Sequence, residues 1–187
     1  MTRGIRQGCP LSPLLYAACS DLMLRRLAVR FPGATIRAFA DDLAMVLGEA
    51  RQHLGRLQSF FQEFELVSGL GLNIRKTVLV PMCPLEEDNV RALVHACAPG
   101  WGGLTIAEAA KYLGMYLGPG GRQLSWDAPI KKFLTRASQW GKLGVGLLMS
   151  IKAYRVYIAS VLLFVGQLVP LPPDFRHTEA LACRRLA

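Results

Sequence analysis

Two adjacent carboxylates, Asp41 and Asp42, are the side chains of this sequence best placed to do chemistry. They separate two apolar runs, 35–40 and 43–47, whose composition predicts two short strands joined by a tight hairpin with both aspartates at its tip. We expect these strands to be buried, and a buried hairpin with two carboxylates at its turn needs a cation to neutralise them. Hard oxygen ligands on a rigid turn suit Mg²⁺, which indicates phosphoryl transfer. The alternative is that the pair is ordinary solvated charge on a surface loop.

The elements that must position this hairpin are helices and short strands in alternation. A turn over residues 8–13 precedes a helix that runs to about Val29, with Ser12 predicted as its N-cap and Pro13 as its first helical residue. The apolar spacing and the Gly and Pro positions then predict, in chain order, a helix over 49–68, a strand over 77–82, a helix over 84–98 and a strand over 111–117.

The run Gly118-Pro119-Gly120-Gly121 is the clearest linker in the chain, and everything after it has helical spacing. We predict helices over about 126–143 and 150–168, and a last helix after Pro173. The sequence therefore predicts an α+β part over residues 1–118 and a helical part over residues 119–187.

Composition bounds the class of protein. The 187 residues are 52% hydrophobic and 19% charged, which excludes a disordered chain. The five cysteines are odd in number and contain no CxxC pair, so neither a disulfide framework nor a zinc site is indicated, and a reducing, intracellular location is expected. No signal peptide opens the chain, and the apolar stretch 156–166 is too short to cross a membrane. We expect that stretch to be a buried helix, and we expect no secretion and no membrane partner.

Basic charge is concentrated in the helical part. The net charge is +9; residues 1–118 hold 12 Lys and Arg against 10 Asp and Glu, whereas residues 119–187 hold 10 against 3. Such a segment attracts polyanions, nucleic acid first and acidic membrane surfaces second.

Four motifs carry a resemblance to a known family. The first two are the run Arg6-Gln7-Gly8-Cys9-Pro10-Leu11-Ser12-Pro13-Leu14-Leu15 and the run Phe39-Ala40-Asp41-Asp42; the others are Gly69 to Thr77 and Tyr112 to Gly118. In this order they resemble the reverse transcriptases of non-LTR (LINE-type) retrotransposons, and similar runs occur in group II intron enzymes. The resemblance implies part of a right-hand polymerase palm followed by a helical thumb. It also implies Mg²⁺- or Mn²⁺-dependent addition of deoxynucleoside triphosphates to a DNA primer on an RNA template.

The resemblance assigns the chemistry to three residues. Asp41 would be a ligand of the catalytic metal pair, and Asp42 the more peripheral carboxylate. Lys76 would lie near the triphosphate as a proton donor or electrostatic clamp for the departing pyrophosphate. The alternative for Lys76 is a solvated lysine at the end of a strand.

The resemblance also assigns residues to the template, primer and nucleotide. Gln7 and Gly8 would line the nucleotide and template pocket, or else only form the turn before the first helix. Phe39 stands where Tyr is common in the family and keeps the ring beside the primer end. Leu113 and Gly114 would help to hold the primer, or else be ordinary strand residues. Six cations of the helical part would follow a duplex backbone without reading its sequence: Lys131, Lys132, Arg136, Lys142, Lys152 and Arg155.

The sequence departs from the family pattern at its beginning. In the family, another strand with a metal-binding aspartate precedes the Gln7-Gly8 segment, and so do the fingers. Asp21 and Glu49 are not convincing replacements. We therefore expect residues 1–187 alone to be inactive and to need that N-terminal segment in cis or as a second chain. Two alternatives remain: a non-catalytic nucleic-acid-binding remnant, and a pseudogene-like product without function.

Overall fold

A computed structural model describes residues 8–83 and 86–186. The described residues form two compact units, one ending at Ala107 and the other beginning at Glu108. Each unit has its own hydrophobic core. The mixture of helices and small sheets confirms the α+β class, with a helix-rich C-terminal part.

Three helices build the core of the first unit. They are α1 (Ser12–Arg30), α2 (Ala50–Ser68) and α3 (Glu87–Cys97). The predicted apolar spacing places Leu54, Leu57 and Phe60 of α2 on one face, and all three are buried. Helix α1 begins at Ser12 itself, so Leu11 rather than Ser12 is the N-cap residue. The core formed by these helices is the surface on which the hairpin of the two aspartates rests; its buried members are Leu27, Phe31, Leu54, Leu57, Phe60, Val94, Ala98, Trp101 and Leu104.

Two small sheets accompany these helices. Strands β1 (Thr35–Phe39) and β2 (Asp42–Val46) form an antiparallel hairpin, and β3 (Val78–Leu79) pairs in parallel with β4 (Thr105–Ile106). The predicted strand over 77–82 is therefore only two residues long.

The second unit begins with a hairpin and continues with four helices. Strands β5 (Ala110–Tyr112) and β6 (Met115–Leu117) are antiparallel. The helices are α4 (Gly121–Gly141), α5 (Leu147–Ala153), α6 (Ser160–Gly166) and α7 (Phe175–Leu186), and a π-helical turn, Tyr154–Ile158, lies between α5 and α6. Phe133, Ala137, Ile158 and Ala182 form the buried core.

Helix α4 is the element to which the rest of this unit is attached. The buried Ser125 hydroxyl accepts a hydrogen bond from the Tyr116 N–H (2.9 Å) and donates to the Gly121 carbonyl (2.8 Å), which holds β6 on α4. At its other end, Gly141 allows the backbone of α7 to approach so closely that a Cβ would collide with the Arg185 carbonyl.

The division between the units differs from the one that the linker predicts. The sequence places it after residue 118, whereas the compact units divide between Ala107 and Glu108. The reason is that the β5–β6 hairpin packs on α4. Gly118-Pro119-Gly120 is therefore a tight connection within the second unit and not a spacer between units.

The apolar stretch 156–166, expected to be a buried helix, is buried only in part: Ile158 and Val165 are buried. Val156, Leu163 and Phe164 are 78%, 64% and 54% exposed. Among the described residues one helical segment, Leu147–Gly166, is long and apolar enough to cross a membrane, and 22% of its most apolar window is buried. Length and composition alone are weak evidence for a membrane span, since core helices of soluble proteins share them.

Candidate active site

The β1–β2 hairpin has a loop of two residues, Ala40 and Asp41. Its register pairs Phe39 with Asp42, Ala38 with Leu43 and Ile36 with Met45. Ala40 has φ +50°, a left-handed conformation that a residue with a Cβ rarely adopts. Such strain is often found at functional sites, and here it accompanies the projection of Asp41 at the tip.

The register decides what each face of the hairpin presents. Directly opposed residues of an antiparallel pair lie on the same face, and faces alternate along each strand. Ile36, Leu43 and Met45 pack against the core of the first unit. Asp42 therefore lies on the other face, which it shares with Phe39 and Arg37.

This geometry corrects two expectations. Asp42 is the first residue of β2 rather than part of the tip, because the turn uses Ala40 and Asp41. The strands are not buried on both faces: Phe39 is 65% exposed, and both aspartates are exposed. The argument that burial of the hairpin requires a neutralising cation therefore does not hold.

What remains at the hairpin is a pair of accessible hard-oxygen donors. Neither aspartate is in an ion pair within residues 8–83 and 86–186. In the same ranges no group of three or more His, Cys, Asp or Glu side chains is placed to hold a metal ion. The two carboxylates fit the ligand chemistry of Mg²⁺, but they supply only part of a coordination shell.

Lys76 is exposed and lies in a single 3₁₀ turn, Ile74–Lys76, just before β3. The Asn73 side chain fixes this turn by accepting a hydrogen bond from the Lys76 N–H at 3.3 Å. In the described part of the chain no hydrogen bond or ion pair joins Lys76 to Asp41 or Asp42. Within residues 8–83 and 86–186 its ammonium is in no ion pair, and its role at a triphosphate stays a prediction.

Gln7 and Gly8 are the two residues predicted to line the nucleotide and template pocket. Gln7 lies outside the described residues. Gly8 is exposed and has φ +92°, and among the described residues no atom beyond its chain neighbours lies within 4 Å of the place that a Cβ would occupy. The positive φ favours glycine at this position, and the contact of Gly8 with a base pair stays a prediction.

The sequence predicts that Leu113 and Gly114 lie in the middle of a strand, and this prediction is wrong. They form the two-residue loop of the β5–β6 hairpin, with φ +48° and +88°. Two positive φ angles are typical of the turn that best matches hairpin twist. Both residues belong to the second unit.

The structure brings together three of the six predicted backbone cations. Lys131, Lys132 and Arg136 line one open surface cleft of the second unit, whereas Lys142, Lys152 and Arg155 are exposed and do not line it. Tyr157, which also lines the cleft, was missed by the sequence analysis. No motif marks it, because its position depends on the π turn.

A family model described as "Reverse transcriptase (RNA-dependent DNA polymerase)" matches residues 1–117, more than half of the chain. The chain belongs to this family. The match covers the aspartate hairpin, the Lys76 turn and the β5–β6 hairpin. It therefore includes both predicted catalytic aspartates.

A curated relative agrees with this membership. The chain is 35% identical over 106 residues to the retrovirus-related Pol polyprotein from the type-1 retrotransposable element R2 of Nasonia vitripennis. This similarity confirms the resemblance to reverse transcriptases of non-LTR retrotransposons. The matched region is half of this chain and only 10% of the relative.

Proposed function

We propose that this reverse transcriptase family member takes part in Mg²⁺-dependent, RNA-directed DNA synthesis, in which a deoxynucleotide is added to a primer 3′ end. The observation that carries this proposal is the register of the β1–β2 hairpin. It leaves Asp41 at the tip and Asp42 on the face away from the core, both accessible, within the region that the family model matches.

Within this proposal Asp41 is the principal metal ligand and Asp42 the peripheral one. Asp41, at the tip of the two-residue loop, can reach an ion that lies beyond the end of the hairpin. Asp42 is in a strand and is directed to one face of the sheet. The two carboxylates would hold metal ions whose chemistry, when bound, would be to activate the primer hydroxyl and to stabilise the leaving oxygen. The protein's own contribution is to hold the carboxylates on a rigid turn.

Two carboxylates are too few for a complete two-metal site. We propose that the remaining ligands come from the triphosphate and from a carboxylate outside the described residues, in the N-terminal palm segment that the family uses. That segment and the fingers would act in cis or as a second chain. Phe39, opposite Asp42, would then support the primer end, and Lys76 would meet the triphosphate charge.

Primer extension on an RNA template tests this proposal. One protein is residues 1–187, and the other is the same chain joined to the corresponding N-terminal region of the Nasonia vitripennis relative. We expect extension only from the longer protein, only with Mg²⁺ or Mn²⁺, and a loss of at least about 100-fold in Asp41→Asn, since one ligand of a metal site contributes several kcal/mol.

Asp88→Asn is the matched control, because Asp88 is an exposed aspartate in the first turn of α3. We expect it to keep full activity and Asp42→Asn to be impaired less than Asp41→Asn. Extension by the Asp41→Asn protein at the rate of the unsubstituted one would refute the assignment.

A binding function without catalysis is the second candidate. It is favoured by the cleft cations, which need no metal. A longer protein that binds an RNA·DNA duplex tightly but never extends the primer would support it.

A further inference from the structure

The helical segment Leu147–Gly166, formed by α5, the π turn and α6, exposes aliphatic side chains along its outer side. The segment packs against α4, and its inner residues Ala153, Ile158 and Val165 are buried. The exposed aliphatic side chains of the outer side are together called the aliphatic face; they are Leu147, Leu148, Ile151, Val156 and Leu163.

The spacing of these residues explains why they share one side. Leu147 and Ile151 are four residues apart, and so are Leu148, Lys152 and Val156, which is the spacing of neighbours on a helix surface. Leu163 continues the face after the π turn, and the buried Val165 points to α4. The packing of the segment on its core therefore leaves a long aliphatic surface in water.

The charge on and beside this face has one sign. Lys152 and Arg155 lie on the outer side of the same segment, are exposed, and within residues 8–83 and 86–186 are in no ion pair. Residues 128–173 contain six Lys and Arg and no Asp or Glu. Further cations adjoin the π turn, because the guanidinium carbon of Arg136 lies 4.1 Å from the centroid of the Tyr157 ring. A partner that covers the aliphatic face must therefore supply negative charge as well as apolar surface.

Two occupants fit this combination poorly. A second copy of the chain would bring Lys152 and Arg155 toward their own equivalents, with no carboxylate between residues 128 and 173 to neutralise them. A nucleic acid would engage the cations alone, since bases stack on aromatic rings and this face is aliphatic.

A helix that crosses a bilayer is also disfavoured. Lys152 and Arg155 are near the middle of the 20-residue segment, and a cation at the centre of the hydrocarbon is costly. At a bilayer surface the same cations are favourable, because long side chains reach the headgroups while their stems stay in apolar surroundings.

We propose that the aliphatic face binds the surface of a membrane that contains anionic phospholipid, with the helical segment parallel to the membrane plane. Leu148, Val156 and Leu163 enter the boundary between headgroups and acyl chains, and Lys152 and Arg155 pair with the anionic headgroups. The expectation of no membrane partner accompanied the expected burial of residues 156–166, which the exposure of Val156 and Leu163 corrects. The proposal involves neither the metal site nor a primer.

Flotation of the 187-residue chain with lipid vesicles tests the proposal. One set of vesicles is phosphatidylcholine alone, and the other contains about 30% phosphatidylserine. We expect the affinity for the anionic vesicles to be at least about tenfold higher near 0.1 M salt, because each cation at the surface contributes about fivefold. Higher salt should weaken this preference.

Removal of the two cations tests the electrostatic part. Lys152→Gln combined with Arg155→Gln should lower the affinity for the anionic vesicles about 20-fold and leave binding to phosphatidylcholine unchanged. Arg51→Gln combined with Arg75→Gln, at two exposed positions of the first unit, is the matched control and should change the affinity by less than about twofold.

Removal of aliphatic side chains tests insertion. Leu148→Gln combined with Leu163→Gln should lower the affinity for both kinds of vesicle at least about tenfold. Leu66→Gln combined with Val67→Gln removes two exposed apolar side chains of α2 and should have no such effect. Circular dichroism checks that each variant is folded; should the first pair unfold, Val156→Gln takes its place.

A tryptophan at the face reports insertion directly. The fluorescence of Leu163→Trp should be quenched by phosphatidylcholine brominated in its acyl chains, in vesicles that also contain phosphatidylserine. Leu66→Trp carries the same native tryptophans and should not be quenched further than the unsubstituted chain.

Three results would overturn the proposal. One is equal vesicle binding by the face variants and their controls. Another is anionic binding that survives Leu148→Gln with Leu163→Gln and leaves Leu163→Trp unquenched, since this would be adsorption by charge alone. The third is the absence of vesicle binding together with a dimer, or an RNA·DNA complex, that is lost in Leu148→Gln with Leu163→Gln, which would assign the face to that partner.

Discussion

Phe39 and Asp42 lie directly opposite each other across the β1–β2 hairpin, on the face turned away from the core. An aromatic ring and a carboxylate are thus presented side by side at the end of a rigid turn. Because the side-chain period of a strand is two, this relationship depends on the loop having two residues. The loop conformation is therefore the first feature to test.

Ala40 occupies a left-handed conformation that favours glycine. We expect Ala40→Gly to stabilise the first unit by about 0.5–1 kcal/mol, since relief of the Cβ strain exceeds the entropy that glycine adds to the unfolded chain. Ala44→Gly, within β2, should destabilise it by a similar amount. Urea denaturation measures both. A loss of stability in Ala40→Gly would contradict the strain argument.

Metal binding by residues 1–187 should be weak. Asp41 and Asp42 supply carboxylate oxygens, and within the described ranges no third ligand joins them, so we expect dissociation constants for Mg²⁺ or Mn²⁺ in the millimolar range or weaker. Mn²⁺-induced broadening of NMR signals should centre on residues 39–43 and disappear in Asp41→Asn. A sub-micromolar site by calorimetry would show that ligands elsewhere take part.

The hairpin should also promote self-association. Its sheet has only two strands, so both outer edges lack a strand partner among the described residues, and Val46 is 59% exposed. Exposed strand edges are templates for pairing with another chain. We expect concentration-dependent association in sedimentation velocity, reduced by Val46→Lys. Val29→Lys, on an 82% exposed position of α1, should not reduce it. A monodisperse monomer at all concentrations would contradict the edge argument.

The second unit should lose stability in alkali through Tyr154. Burial, together with a hydrogen bond from its hydroxyl to Glu179, raises the pKa of Tyr154 above its ordinary value of 10.0. Above pH 10 the unfolded chain loses this proton while the folded chain keeps it. The stabilisation is therefore complete below pH 10 and declines as the pH rises further.

Tyr154→Phe should cost about 1 kcal/mol near pH 8 and remove this part of the alkaline decline. Thermal unfolding followed by circular dichroism across pH 8–11.5 measures both effects. Tyr16→Phe, an exposed tyrosine of α1, is the control. An unchanged alkaline slope in Tyr154→Phe would assign the decline to other groups.

The helices of the first unit could be predicted from the sequence because apolar spacing and terminal glycines determine them. Helix α2 ends at Gly69, whose φ of +71° and N–H bond to the Glu65 carbonyl form the expected C-cap. The location of Asp41 at the hairpin tip was likewise predictable from the two apolar runs beside it.

Other features depend on backbone choices that residue types do not reveal. Leu113 adopts a positive φ, which leucine rarely does. Because its residue type therefore gave no sign of a turn, the sequence from Lys111 to Leu117 resembled one continuous strand. Asp42 entered β2 because Ala40 took the other loop position. Val156 and Leu163 are exposed. Their exposure could not be inferred from the apolar composition of the segment, because a buried core helix has the same composition.

The π turn has a consequence for changes in chain length. It holds one residue more than an α-helical turn, so deleting one residue from Tyr154–Ile158 would restore an unbroken α-helix. The side chains on either side of that deletion would keep their relative orientation, because one helical turn replaces another; a deletion within the regular helix α4 would instead rotate one half of that helix by about 100° relative to the other. The second unit should accordingly tolerate a single-residue deletion within the π turn better than one in the middle of α4, a contrast that a deep mutational scan including deletions would record.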